Sequence, residues 1–114
     1  MTGGSRPSGY LSAGMKGLGQ LLEPVEAETP YGGRAVSYTP LGAVWLRLEG
    51  RRRRERTEAG LTSAVETATA ETRADLRLIE GRVIRFAGVD WTISTVEPDP
   101  DRPGRTTLTL ERSR

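Results

Sequence analysis

Three short runs of alternating side chains follow one another in the last third of the chain, and they restrict the fold more than anything else in it. In residues 82–86, Ile84 and Phe86 share a face. In residues 91–96, Trp91, Ile93 and Thr95 alternate with Thr92, Ser94 and Val96. In residues 105–111, Leu108 and Leu110 point one way, and Thr107, Thr109 and Glu111 the other. A period of two places one apolar face on a strand and scatters it around a helix. Ala87-Gly88-Val89-Asp90 and the segment Pro98-Asp99-Pro100-Asp101-Arg102-Pro103-Gly104 supply turn chemistry between the runs. This pattern predicts a small antiparallel β module.

The rest of the chain continues the pattern. Residues 20–28 read as a strand, with Pro24 indicating an edge or a bulge. Pro30-Tyr31-Gly32-Gly33 is a turn, and residues 34–39 return as the second strand of a hairpin. After Pro40-Leu41-Gly42, residues 43–49 alternate again: Val44, Leu46 and Leu48 share one face, Trp45, Arg47 and Glu49 the other. Residues 61–79 carry two conflicting signals. Ser63 and Glu66 have capping-box spacing, and Leu61, Val65, Ala68, Thr72, Leu76 and Ile79 fall near helical spacing. Thr62, Thr67, Thr69 and Thr72 are β-branched and favour strand. Residues 1–18, rich in Gly and Ser, bury too little apolar area to offset ordering and are expected to form a flexible N-terminal arm. The folded domain is expected to span 19–114.

Composition bounds the chemistry. The 114 residues allow one domain, and 35% hydrophobic with 5% aromatic content is thin for a self-sufficient core, which points to an assembly. With no histidine and no cysteine, the commonest general base, the commonest metal ligand, the thiolate nucleophile and the disulfide are all absent. Asp99 and Asp101 lie among prolines in a turn and form no EF-hand pattern. No serine sits in a G-x-S-x-G elbow, and residues 14–19 match neither a P-loop nor a dinucleotide fingerprint. The expectation is therefore no enzyme, no cofactor and no metal. No apolar run reaches membrane-span length and the N-terminus lacks a signal-peptide core, so a cytoplasmic site of synthesis and no membrane contact are expected.

The most pointed chemical feature is the run Arg51, Arg52, Arg53, Arg54, Glu55, Arg56, five cations against one anion. As a solvated loop it would be inert. Repeated around a ring, it would form a positive collar, and at physiological ionic strength its field reaches about 8 Å. Such a collar would meet nucleic-acid phosphates without reading sequence. Aromatics for stacking single-stranded bases are scarce. Trp45 and Trp91 both lie on alternating strands and read as core or interface residues, as do Ile93, Leu108 and Leu110.

Taken in order, these features carry a resemblance. Pro30-Tyr31-Gly32-Gly33-Arg34 leads to Leu41-Gly42-Ala43-Val44-Trp45, a basic segment ends Arg54-Glu55-Arg56, a strand closes at Thr72-Arg73, Arg82-Val83-Ile84 is followed by Gly88, Trp91 and Ile93, and Leu108-Thr109-Leu110 comes last. Over residues 20–112 the chain resembles the head–tail joining family, the head-closure or stopper proteins of long-tailed phages and gene transfer agents. The resemblance implies a mainly β fold: a small antiparallel barrel or sandwich with a long basic loop and at most one short helix, around residues 55–60. It also implies that residues 65–73 are a strand. Its functional implication is a virion-neck connector: a homo-oligomeric ring, sixfold, between an adaptor or portal ring on the head side and a tail-terminator or tail-tube ring on the tail side. Packaged double-stranded DNA would lie in the channel, with Arg51, Arg52, Arg53, Arg54 and Arg56 as candidates to touch DNA or a neighbouring subunit. Two alternatives stand beside it: a tail-terminator or adaptor ring of the same neck, with adaptors expected to hold more helix, and a free nucleic-acid-binding β module.

Overall fold

A computed structural model describes residues 15–58 and 60–113, and these form six strands and no helix. They are β1 (Met15–Glu28), β2 (Arg34–Glu58), β3 (Leu61–Arg73), β4 (Val83–Phe86), β5 (Val89–Pro98) and β6 (Arg105–Ser113). Every neighbouring pair is antiparallel, in the order β1-β2-β3-β6-β5-β4. β4 pairs back onto β1 through Gln20↔Arg85 and Leu22↔Val83 and closes a barrel. Closure satisfies the edge hydrogen bonds that an open sheet would expose.

The barrel is filled from the alternating runs. Leu21, Leu48, Ile84, Trp91, Leu108 and Leu110 are wholly buried, with Val44, Leu46, Ile93 and Phe86 packed among them. The apolar residues that β3 brings to this core, among the described ones, are the small Ala68 and Ala70, and such small residues beside large ones let a narrow barrel close. The β4–β5 turn is Ala87-Gly88, both with positive φ (53° and 78°), the geometry of a two-residue hairpin turn whose twist matches its strands.

The barrel takes in residues 15–18, which composition had assigned to the flexible arm; the remainder of that arm, residues 1–14, lies outside the described residues. Here the glycines serve close packing. A Cβ on Gly17 would stand 2.7 Å from Phe86 Cε1, and one on Gly19 would stand 2.8 Å from both Ile84 Cγ2 and Leu46 Cδ2. Gly17→Ala and Gly19→Ala should each cost about 1–3 kcal/mol by overpacking. Urea denaturation checks this, and unchanged midpoints would remove residues 15–19 from the barrel wall.

Two further expectations are corrected. The basic segment, expected as a loop, is strand: β2 runs unbroken to Glu58, and the described residues, with no helix, agree with the expectation of at most one short one. Residues 50–58 find ladder partners in residues 61–69, from Gly50↔Thr69 to Glu58↔Leu61, so backbone pairing across the sheet overrides the helical spacing and the capping-box signal of Ser63 and Glu66. Likewise Pro40-Leu41-Gly42 does not end a strand. Leu41 is accommodated as an extra residue opposite Leu21 and Leu22, with Gly42 at φ 119°, and the strand continues.

Long strands on a small barrel leave overhangs. The described residues measure 59 × 31 × 26 Å. Because β1 leaves β4 at Leu22, residues 23–40 project as a two-stranded hairpin, the first arm. Around Pro24 the outer edge of β1 is thus unpaired with β4, and the missing N–H costs no ladder bond there. Residues 50–58 and 60–64 project as a second arm from the end of the barrel opposite the first, since β2 enters at one end and leaves at the other.

Candidate functional site

The second arm holds the arginine run, and a β-bulge decides how its side chains are dealt out. Glu49 is an extra residue between Leu48↔Ala70 and Gly50↔Thr69. Before the bulge, even-numbered residues of β2 face the core; after it, odd-numbered ones do. Arg51 therefore stands opposite the buried Ala68, and Arg53 opposite Glu66, while Arg52 stands opposite Thr67 on the outer face. The run places positive charge on both faces of the arm.

Arg51 is the root of that arm. Its Nε donates to Glu66 Oε2 at 2.6 Å, and its Nη2 pairs with the same oxygen. From β6, Arg112 Nε donates to Glu66 Oε1 at 2.8 Å. Both guanidiniums lie over the Trp91 ring, 6.0 and 5.4 Å from its centroid. Glu66 is only 4% exposed. Burial works to raise its carboxyl, but the hydrogen bonds and charges of Arg112 and Arg51 outweigh burial and hold it below its ordinary value. Three strands are thus tied together over the buried tryptophan at the arm's base. Further out, Arg52 and Arg53 are exposed; the side chains of Arg54 and Arg56 lie outside the described residues. Trp91, Ile93, Leu108 and Leu110 are interior.

Trp45 is not a core residue. It is 66% exposed on the outer face, beside its cross-strand partner Leu18 at 56%. Nearby, Lys16 pairs with Arg47 and Arg73 with Arg105 across their ladders, and a groove of about 630 Å³ lies among Trp45 and these four residues. Arg102, from the β5–β6 loop, and Arg105 both reach Glu71, which is 6% exposed. Five cationic side chains thus border an exposed tryptophan, with Glu71 and Asp75 as the acids of the groove. Charge composition did not single out this groove, because its cations come from four separate segments. Trp45 and Arg47 sharing a strand face was the one signal available.

The base of the first arm is fastened by the loop after β3. Arg77 Nη1 donates to Leu41 O at 2.8 Å and Nη2 to Ala43 O at 3.2 Å, with its guanidinium held by Asp75. Arg82 Nε donates to Glu23 Oε1 at 2.6 Å and its Nη1 to Arg77 O at 2.6 Å. Among the described residues, no group of three or more acidic side chains is placed to hold a metal ion.

A family model described as phage head completion protein matches residues 14–112. Among solved structures, the fold is similar to a chain from the virion of a native gene transfer agent particle, with TM-score 0.63 and 22% identity, covering 85% of this chain and 93% of that one. No curated protein matches the chain.

Proposed function

The chain belongs to the phage head completion protein family, and from that membership we propose that its copies close into a ring at the virion neck, seal the DNA-filled head and join it to the tail. Its role is structural, as part of a particle and in contact with other head and tail proteins. Sixfold symmetry, an adaptor or portal ring on one side and a tail-terminator or tail-tube ring on the other complete the reading, with assembly in the host cytoplasm. No catalytic step enters it.

One observation carries the proposal: the arginine run is built into a projecting two-stranded arm whose root is clamped by Glu66, Arg51 and Arg112. An arm held this way presents Arg52 and Arg53 without first paying the ordering entropy of a loop. Turned toward the channel in every copy, it would set a collar of guanidiniums against DNA phosphates, which attracts any sequence. Arg51 belongs to the clamp and is excluded from the DNA-touching set. The fold favours closure over an adaptor, since the described residues hold no helix.

Particles carrying Arg52→Glu and Arg53→Glu should package DNA but retain about tenfold less of it, because like charge replaces the phosphate contacts. Nuclease protection of particle DNA measures this. Full retention by the variant would remove the arm from the channel, and particles lacking this chain at the neck would end the reading. Isolated monomers should bind short duplex weakly. Tight monomer binding with a steep salt slope would favour the free nucleic-acid-binding module.

A further inference from the structure

We infer that the groove around Trp45 is the socket for the acidic first arm of a neighbouring copy, so that copies join arm to groove around the ring; this rests on the ring reading above. The arm has the properties of an unfinished interface. From Glu23 to Pro40 it stands off the barrel as two strands, and a lone two-stranded hairpin is marginal in water. Residues 30–40 are exposed throughout. Val25, Val36 and Tyr38 are 42%, 51% and 43% exposed, and Tyr31 at the tip is 96% exposed. Glu23, Glu26 and Glu28 outnumber the single Arg34; Arg34 pairs with Glu26 and the loop residue Arg82 with Glu23, and the arm's own residues keep a net negative charge. The arm is thus apolar and acidic.

The groove is its complement in both respects. Trp45 supplies an exposed apolar side chain in the groove, with Leu18 exposed as its cross-strand neighbour, and exposed apolar surface bordered by polar side chains marks docking sites. Around it stand Lys16, Arg47, Arg73, Arg102 and Arg105. Tryptophan and arginine are the residues that most often anchor interfaces, and opposed surface potentials select the partner and its orientation.

Geometry makes the occupant another copy. The arm leaves its barrel as a continuation of β2, the strand that carries Trp45 and Arg47, so it points away from its own groove. Folding back would break the Arg77 bonds to Leu41 and Ala43. The groove also suits the acidic arm better than it suits the basic one, whose charge is like its own. The two arms leave opposite ends of the barrel, whereas the groove lies on the wall at the first arm's end, beside Arg73 and Arg105. The groove therefore lies near the root of the first arm, and the arm's length lets it reach past its own barrel to a neighbour's groove. Such a contact between unlike patches propagates around a closed ring.

The absence of cysteine makes the test specific. Particles assembled with the Ala27→Cys, Arg47→Cys double variant are treated with a short bismaleimide. A ladder of covalent oligomers of this chain is expected, and each single variant should stop short of it. Reversing the arm (Glu26→Lys, Glu28→Lys) or the groove (Arg47→Glu, Arg73→Glu) should lower incorporation into particles about tenfold or more, because like charges then face each other. All four changes together should restore it. Circular dichroism and thermal melts of the purified variants should match the parent. Rings that form without the ladder, or reversals without rescue, would overturn the socket and leave the ring standing. Capture of a different virion protein at Arg47→Cys would assign the groove to that protein and overturn the inference. A parent chain found in the neck only as isolated monomers would remove ring and socket together.

Discussion

Replacing Trp91 by alanine is expected to cost about 3–5 kcal/mol. Trp91 is wholly buried in the barrel and is the largest of its fully buried side chains, so its truncation to alanine opens a larger cavity there than truncation of any other fully buried residue. It also withdraws the ring over which Arg51 and Arg112 lie, each such contact adding about 0.5–2 kcal/mol where it is shielded from water. Domains of this size have only about 5–15 kcal/mol of net stability, so a large part of the population should be unfolded at modest urea. Among the described residues Trp91 Nε1 has no hydrogen-bond partner. Trp91→Phe removes that desolvated N–H and keeps an aromatic ring, so it should cost far less than alanine. Trp45→Ala should barely move the urea midpoint, since its ring is mostly in solvent. Equilibrium unfolding of the three variants decides the matter. A Trp45→Ala midpoint shifted more than that of Trp91→Ala would invert the inside and outside of the barrel.

Glu66→Ala is the second large effect, roughly 2–3 kcal/mol at neutral pH. Removing one partner of a wholly buried ion pair costs about 3–5 kcal/mol; here Arg51 and Arg112 keep 26% and 24% of their side-chain surface, and water partly compensates them. The pH dependence has a definite sign. The folded-state Glu66 carboxyl is held below its ordinary value of 4.5, so the folded state binds its proton less readily than the unfolded chain. The resulting stability is complete above that ordinary value. It shrinks as pH falls through it and is gone below the folded-state value. Asp75, Asp90 and Asp99 are also lowered, by Arg77, by Arg85 and by the Asp101 backbone N–H respectively, so the parent loses stability in acid for several reasons. The difference between parent and Glu66→Ala isolates one of them. It should be widest near neutrality and close as the solution is acidified. A difference that stays constant with pH would mean that Glu66 contributes only packing. Arm-borne functions should fail with it, because Glu66 holds the root of the basic arm.

Much of the barrel was legible because alternation is a local property. Val44, Leu46 and Leu48 against Trp45, Arg47 and Glu49 is the division the structure shows, and so is Leu108 and Leu110 against their neighbours. The alternation failed where an extra residue shifts the phase. Ser94 is a bulge between Ile93↔Leu110 and Thr95↔Thr109, so Val96 packs against the core and Thr95 is exposed, the reverse of a strict two-residue count from Trp91. The Gly-rich start misled for a different reason. Composition reports the entropy lost by Gly17 and Gly19 but not the Phe86 and Ile84 side chains that occupy the space beside them.

By itself the sequence determined the strand character of residues 43–49, 83–86, 91–96 and 105–111, the turns at residues 30–33 and 87–88, the missing equipment for histidine or thiol chemistry and the concentration of positive charge at residues 51–56. Each depends on neighbours a few positions apart. The tertiary structure alone decided that Arg51 anchors while Arg52 faces outward, that Glu66 joins β2 to β6, and that cations from four segments converge around Trp45. Those outcomes rest on register between strands distant in sequence, and a single extra residue such as Glu49 reverses which face every later side chain takes.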